Sequence, residues 1–109
     1  MLASTAVELT RTCEDDAALL AAVADPTRLG LLRRLAAEGC RCVCELQAEP
    51  PVPANLLSYH LRILREAGLV TASRRGRRID YRLTAGALER LHSALPALPA
   101  LPDESEPAP

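Results

Sequence analysis

The 109-residue sequence predicts a mainly α-helical domain that carries one small β-hairpin. Three observations lead there. The chain has no Phe or Trp and only two Tyr, so its core must be built from Leu, Val, Ile and Ala, a composition that favours helices over sheets. Apolar residues recur three and four apart in most of the segments bounded by Pro, Gly or capping residues. Only "LVTASRRGRRIDYRL", residues 69–83, breaks that rhythm, with two strand-forming runs around a central glycine. The length suits one domain with one modest core, and a helical unit this small gains core by pairing with a second copy.

The elements follow in order. Thr12 with Asp15 reads as a capping box, opening a first helix over residues 13–24. Asp25 is the N-cap of a second helix and Pro26 its first residue. Leu29, Leu32 and Ala36 are expected on its buried face, with Leu31 and Leu35 beside them, and Gly39 ends it. A short third helix begins near Cys42 or Val43 and stops before Pro50, where "PPVP" forces a turn. A fourth helix runs from about residue 53 to 67 and closes at Gly68. Leu57, Leu61 and Leu64 form its inner stripe, while Asn55, Ser58, Tyr59, Arg62 and Glu66 form one continuous polar face. Strands are expected near 69–73 and 79–83, joined at Gly76, which can take a positive φ. "TAGALERLHSAL" makes a last helix with Leu88, Leu91 and Leu95 facing one way. The order α-α-α-α-β-β-α is that of a winged helix-turn-helix. Residues 1–12 form an N-terminal arm, 13–95 the domain, and the Pro-rich, acidic stretch 96–109 an expected disordered tail.

Charge is segregated along this order. The whole chain has a net charge of -1, yet residues 55–90 hold eight Arg against three acids, a surplus of five. Residues 1–54 hold five Arg against eight acids, and residues 91–109 hold three acids and no base. A basic block in a neutral chain is the electrostatic footprint of a nucleic-acid surface. The fourth helix, second of the helix-turn-helix, enters the major groove in such a fold, and its outward stripe of Asn55, Ser58, Tyr59 and Arg62 carries base-reading chemistry. Arg74, Arg75, Arg77 and Arg78 crowd the hairpin tip, ready to grip phosphate or reach the minor groove. His60 falls on the inner side and reads as a packed, hydrogen-bonded residue. No His–acid pair flanks a nucleophile and no phosphate loop occurs, so an enzyme is not expected.

"GCRCVCEL" at residues 39–46 places Cys40, Cys42 and Cys44 at alternate positions. The N-terminal residues lack the basic head and apolar run of a signal peptide, and the apolar run "AALLAAVA" is too short to span a membrane, so a reducing cytoplasm is expected. A disulfide is not expected there, and such thiols suit soft ions. On a regular helix Cys42 and Cys44 would project about 200° apart, so a site using all three thiols needs a distorted first turn. Engagement of these thiols would then reshape the helix that supports the recognition helix, which gives allosteric release its differential binding.

"VADPTRLGLLRRL" at 23–35, "CVCEL" at 42–46, "SYHLRILREAGLV" at 58–70 and "RRGRRIDYRL" at 74–83 together resemble the ArsR/SmtB family of winged-helix metal-responsive repressors. The resemblance covers roughly residues 14–95. It implies a homodimer joined through the first and last helices, binding to double-stranded operator DNA, and release when a toxic metal or metalloid binds. "CVCEL" is similar to the form in which the arsenic and cadmium sensors of the family carry thiols. Cys40 is additional to that pattern, and Gln47 stands where some arsenic sensors have a third thiol. Three thiolates from Cys40, Cys42 and Cys44 suit As(III) or Sb(III). Cd(II), Pb(II) or Zn(II) would want a further ligand, for which Cys13 is the candidate. The last helix offers only Glu89 and His92, and no zinc site is expected there. A thiol redox sensor on the same fold is the remaining alternative.

Overall fold

The computed structural model describes residues 2–48 and 51–96. Its elements are α1 (Leu2–Val23), α2 (Pro26–Glu38), β1 (Arg41–Cys42), α3 (Val43–Ala48), α4 (Ala54–Glu66), β2 (Val70–Arg75), β3 (Arg78–Leu83) and α5 (Ala87–Ser93). This is the expected winged helix-turn-helix with one strand added. The sheet has the order β1-β3-β2, and β3 is antiparallel to both neighbours. The pairing of β1, Arg41 with Tyr81 and Cys42 with Asp80, ties the cysteine segment to the hairpin.

Two expectations about the helices are corrected. Helix α1 starts at Leu2, not near Cys13, so Thr12 and Asp15 lie inside it and do not cap it. No Pro or Gly precedes Pro26, and the residues before Cys13 include several strong helix formers, so nothing stops the helix at residue 12. The backbone runs unbroken across the boundary expected between arm and domain. On α2 the buried residues are Leu31, Leu32 and Leu35, while Leu29 is 39% exposed and Ala36 is exposed. Apolar side chains surround much of that helix, and packing against α4 and β3 selects the face. Apart from Pro96, the expected tail lies outside the described residues.

The ends of α2 follow from local chemistry. Asp25 is extended, and its Oδ2 accepts from the backbone N–H groups of Thr27 at 2.9 Å and Arg28 at 3.0 Å. Gly39, at φ 81°, closes the helix with its N–H donated to the Leu35 carbonyl. The N–H of Arg28 is the main cause that holds the Asp25 carboxyl below its ordinary value of 3.8. A carboxylate with a lower pKa folded than unfolded contributes stability above the unfolded value and loses it as pH falls through the folded one. Urea midpoints measured from neutral pH downward should therefore fall in acid, and Asp25→Asn, which still caps but does not titrate there, should shallow that fall. Asp25→Ala should lower the midpoint already at neutral pH.

The core is almost wholly leucine. Leu57 and Leu64 are 0% exposed, Leu61 and Leu46 1%, Leu35 2% and Leu32 3%, with Leu19 and Ala22 of α1, Leu69, Val70, Tyr81 and Ala87 closing it. Each fully buried Leu contributes roughly 1.5–3 kcal/mol relative to exposure. Helix α4 places Leu57, Leu61 and Leu64 at helical spacing into this core, which turns its polar face outward. No helix among the described residues is long and apolar enough to cross a membrane.

Candidate nucleic-acid interface and thiol site

Helix α4 presents the polar stripe as the sequence predicts. Asn55, Ser58, Tyr59 and Arg62 are all exposed, and with Arg65 and Tyr81 they line an open groove of about 470 Å3. The Arg62 guanidinium carbon lies 6.0 Å from the Tyr59 ring centroid, at the outer reach of a cation–π contact. Arg74, Arg75, Arg77 and Arg78 are exposed around the β2–β3 turn. Arg74 Nε donates to the Gly76 carbonyl at 3.2 Å, which braces the tip. Gly76 carries the positive φ expected of it, 61°.

Beneath the stripe, His60 is 6% exposed and hydrogen-bonded, in the structural role its position predicts. Arg28 Nη1 lies 3.1 Å from His60 Nδ1, and Arg28 Nε donates to the Ala22 carbonyl at 2.6 Å. Asp25 Oδ2 stands 3.8 Å from the same ring nitrogen. One guanidinium thus joins the end of α1, the start of α2 and the inner face of α4. The His60 ring meets the Tyr59 ring edge-on at 5.1 Å, so the junction reaches the exposed polar face of α4. The far end of α4 is held as well. Arg90 of α5 donates to the carbonyls of Gly68 at 3.3 Å and Ala67 at 3.5 Å. Gly68 has φ 77°, a left-handed conformation that favours glycine.

The three clustered cysteines divide. Cys42 and Cys44 are joined as a disulfide, whereas Cys40, on the bend after Gly39, and Cys13, on α1, are free and exposed. This corrects the expectation that no disulfide would form. The reason is the distortion anticipated for the segment: Cys42 is the last residue of β1 and Cys44 the second of α3, so they do not share one helical screw. Cys40 is not gathered with them, and no group of three or more His, Cys, Asp or Glu residues among the described residues is placed to hold a metal ion. Glu89 and His92 are both exposed on α5.

Two participants were not apparent from the sequence. Glu45 caps α3 reciprocally with Cys42: its N–H donates to Cys42 Sγ at 3.4 Å, and Cys42 N–H donates to its Oε1 at 3.3 Å. This is a capping box with sulfur in the place of a hydroxyl. The same Oε1 accepts from Arg78 Nη2 at 3.2 Å, while Arg78 Nε donates to Oδ1 of Asp80 at 2.8 Å. Asp80 is 5% exposed, and its hydrogen bond is the main cause that holds the Arg78 guanidinium above its ordinary pKa. The spacing Cys-x-x-Glu was a visible signal for Glu45; nothing local marked Asp80. An open pocket of about 460 Å3 brings Cys42, Cys44 and Gln47 together with Arg77, Arg78 and Ile79 of the hairpin.

Comparison with known proteins agrees with this architecture. A family model described as a helix-turn-helix domain matches residues 23–72. The chain is 49% identical over 65 residues to the HTH-type transcriptional repressor SmtB of Mycobacterium tuberculosis, covering 60% of this chain and 47% of that one. It is 39% identical over 62 residues to the arsenical resistance operon repressor of Escherichia coli, covering 57% and 53%. It thus spans about half the length of these two relatives. A crystal structure titled "Possible transcriptional regulator for arsenical resistance" superposes with TM-score 0.64 at 40% identity, over 69% of this chain and 77% of that one.

Proposed function

Because the chain belongs to the ArsR/SmtB family of winged-helix, DNA-binding transcriptional regulators, we propose that it is a homodimeric repressor whose thiols sense a soft metalloid. Asn55, Ser58, Tyr59 and Arg62 read base edges of a palindromic operator in the major groove, and Arg74, Arg75, Arg77 and Arg78 grip the flanking backbone. The thiolates of Cys42 and Cys44, joined by Cys40, take up As(III) or Sb(III), and DNA affinity falls. The dimer forms through α1 and α5, with Leu88 of α5, 37% exposed, and Leu95 just beyond that helix, 55% exposed, at the seam.

The observation that carries this reading is the meeting of the Cys42 and Cys44 sulfurs at the start of α3. Two adjacent soft donors with a third thiol two residues upstream fit a thiophilic centre of low coordination number. Cd(II), Pb(II) or Zn(II) would need a further donor, and Cys13, exposed on α1, is the candidate. The disulfide itself favours a second reading, in which oxidation of the pair, not metalloid uptake, releases the operator.

Titration of the reduced, operator-bound protein with arsenite, cadmium, lead, zinc and peroxide, followed by fluorescence anisotropy, tests both. Arsenite should release the DNA, Cys44→Ser should abolish that response, and Cys13→Ser should leave it intact while weakening any cadmium response. Release by peroxide alone would replace the metalloid reading with the redox one.

A further inference from the structure

We infer that Glu45 is a positioning residue for DNA binding, one that links the Cys42 sulfur to Arg78 of the wing. Three elements meet at this one carboxylate. Through its backbone N–H and its Oε1, Glu45 forms the reciprocal cap with Cys42 at the head of α3. Through the same Oε1 it takes Arg78 Nη2 at 3.2 Å, thirty-three residues along the chain. Asp80, paired in register with Cys42 across the sheet, takes the Nε of that guanidinium.

An exposed ion pair by itself contributes little, and the side chains of Arg78 and Glu45 are 58% and 39% exposed. The geometry gives this pair another role. A guanidinium held at Nε alone can pivot about that bond, while one held at Nε and Nη2 by two separate carboxylates has its plane fixed. Asp80 anchors Arg78, and Glu45 sets its attitude. Glu45 is in turn set by Cys42, whose sulfur takes its N–H and whose N–H donates to its Oε1, with Arg41 Nε 3.7 Å from the other carboxylate oxygen.

The state of the sulfur therefore reaches the wing without any movement of the core. Cys42 is 2% exposed, whereas Cys40 and Cys44 are exposed. Joined to Cys44, the Cys42 sulfur still accepts from the Glu45 N–H, so it is an engagement that also carries it toward Cys40 that swings it off. The capping box then opens, the Glu45 carboxylate is left between Arg41 and Arg78, and the plane of the Arg78 guanidinium is no longer fixed from the head of α3. This regulatory consequence rests on the thiol-sensing reading above; the positioning of Arg78 by Glu45 and Cys42 does not.

The link is tested on reduced protein without any inducer, by a double-variant cycle read as the ratio of operator to random-duplex affinity at one salt concentration. That ratio cancels the general electrostatic effect of removing a carboxylate. Cys42→Ala and Glu45→Gln should each lower it about fivefold, a size suited to losing the orientation of one partly exposed charge per subunit. The combined variant should fall no further than the larger single loss, since both changes cut one chain of contacts. Cys42→Ser, whose hydroxyl accepts from the Glu45 N–H, should stay within about twofold of the parent. Folding is controlled by the thermal midpoint of each variant, and in Cys42→Ala, but not Cys42→Ser, the Arg78 Nε–H resonance should shift. Losses that multiply, a single change that leaves the ratio where it was, or a Cys42→Ser loss equal to that of Cys42→Ala overturns the inference. If the cycle is non-additive while arsenite fails to release the parent, the sensing reading falls and the positioning role of Glu45 stands.

Discussion

Arg62→Ala should weaken operator binding by roughly 30-fold or more while leaving binding to random duplex nearly unchanged. A side chain bidentate to a base edge supplies about 1–3 kcal/mol of discrimination, and a dimer on a palindrome uses it twice. Arg62 is exposed on the polar stripe of α4, beside Tyr59, where its guanidinium is open to a base edge. Arg77→Ala is the informative contrast. A phosphate contact carries no sequence information, so specific and non-specific affinity should fall together, and the log–log dependence on salt should flatten by about one unit per contact. Anisotropy titrations of both variants on operator and random duplex at several salt concentrations separate the two roles. Equal losses on both duplexes for Arg62→Ala would remove it from the base-reading set.

The second large effect concerns the scaffold. Leu57→Ala should destabilise the domain by about 2–5 kcal/mol, the range for deleting a buried leucine side chain where the surroundings relax only partly. Leu57 is 0% exposed and packs in a core with no Phe or Trp that could swing in to fill the space. Small domains hold only about 5–15 kcal/mol in total, so the loss is a large share. Urea unfolding at fixed protein concentration, to hold any association constant, checks it. A loss below about 1 kcal/mol would mean that the site collapses freely and the core is looser than its burial indicates.

Much of the architecture was legible because its signals are local. Asp25, Pro26 and Gly39 mark the ends of α2 by capping chemistry that needs no tertiary partner, and the α4 stripe follows from helical periodicity alone. The features that escaped are those fixed at a distance. Strand β1 is two residues long and exists only because Arg41 and Cys42 find Tyr81 and Asp80. The choice of Leu31 over Leu29 on α2 depends on which neighbours arrive, since both are apolar. The start of α1 was misplaced because Thr12 and Asp15 have capping side chains but sit in a stretch with no helix breaker before it. At the thiols, periodicity correctly flagged that Cys42 and Cys44 could not cooperate within one helix. It could not reveal that the strand-to-helix change falls between them, nor that Glu45 would meet an arginine thirty-three positions away.

The grip of Arg90 on the last carbonyls beyond α4 bears on modularity. The residues matched by the helix-turn-helix family model end at 72, and within that span the carboxyl end of the reading rod has lost its outside staple. A transplant of the motif alone would carry the polar stripe of α4 but not the Arg90 brace on the carbonyls that follow it. The smallest portable reader in this chain therefore extends through α5, and grafts into other scaffolds must bring that helix or supply a substitute cation at the same place.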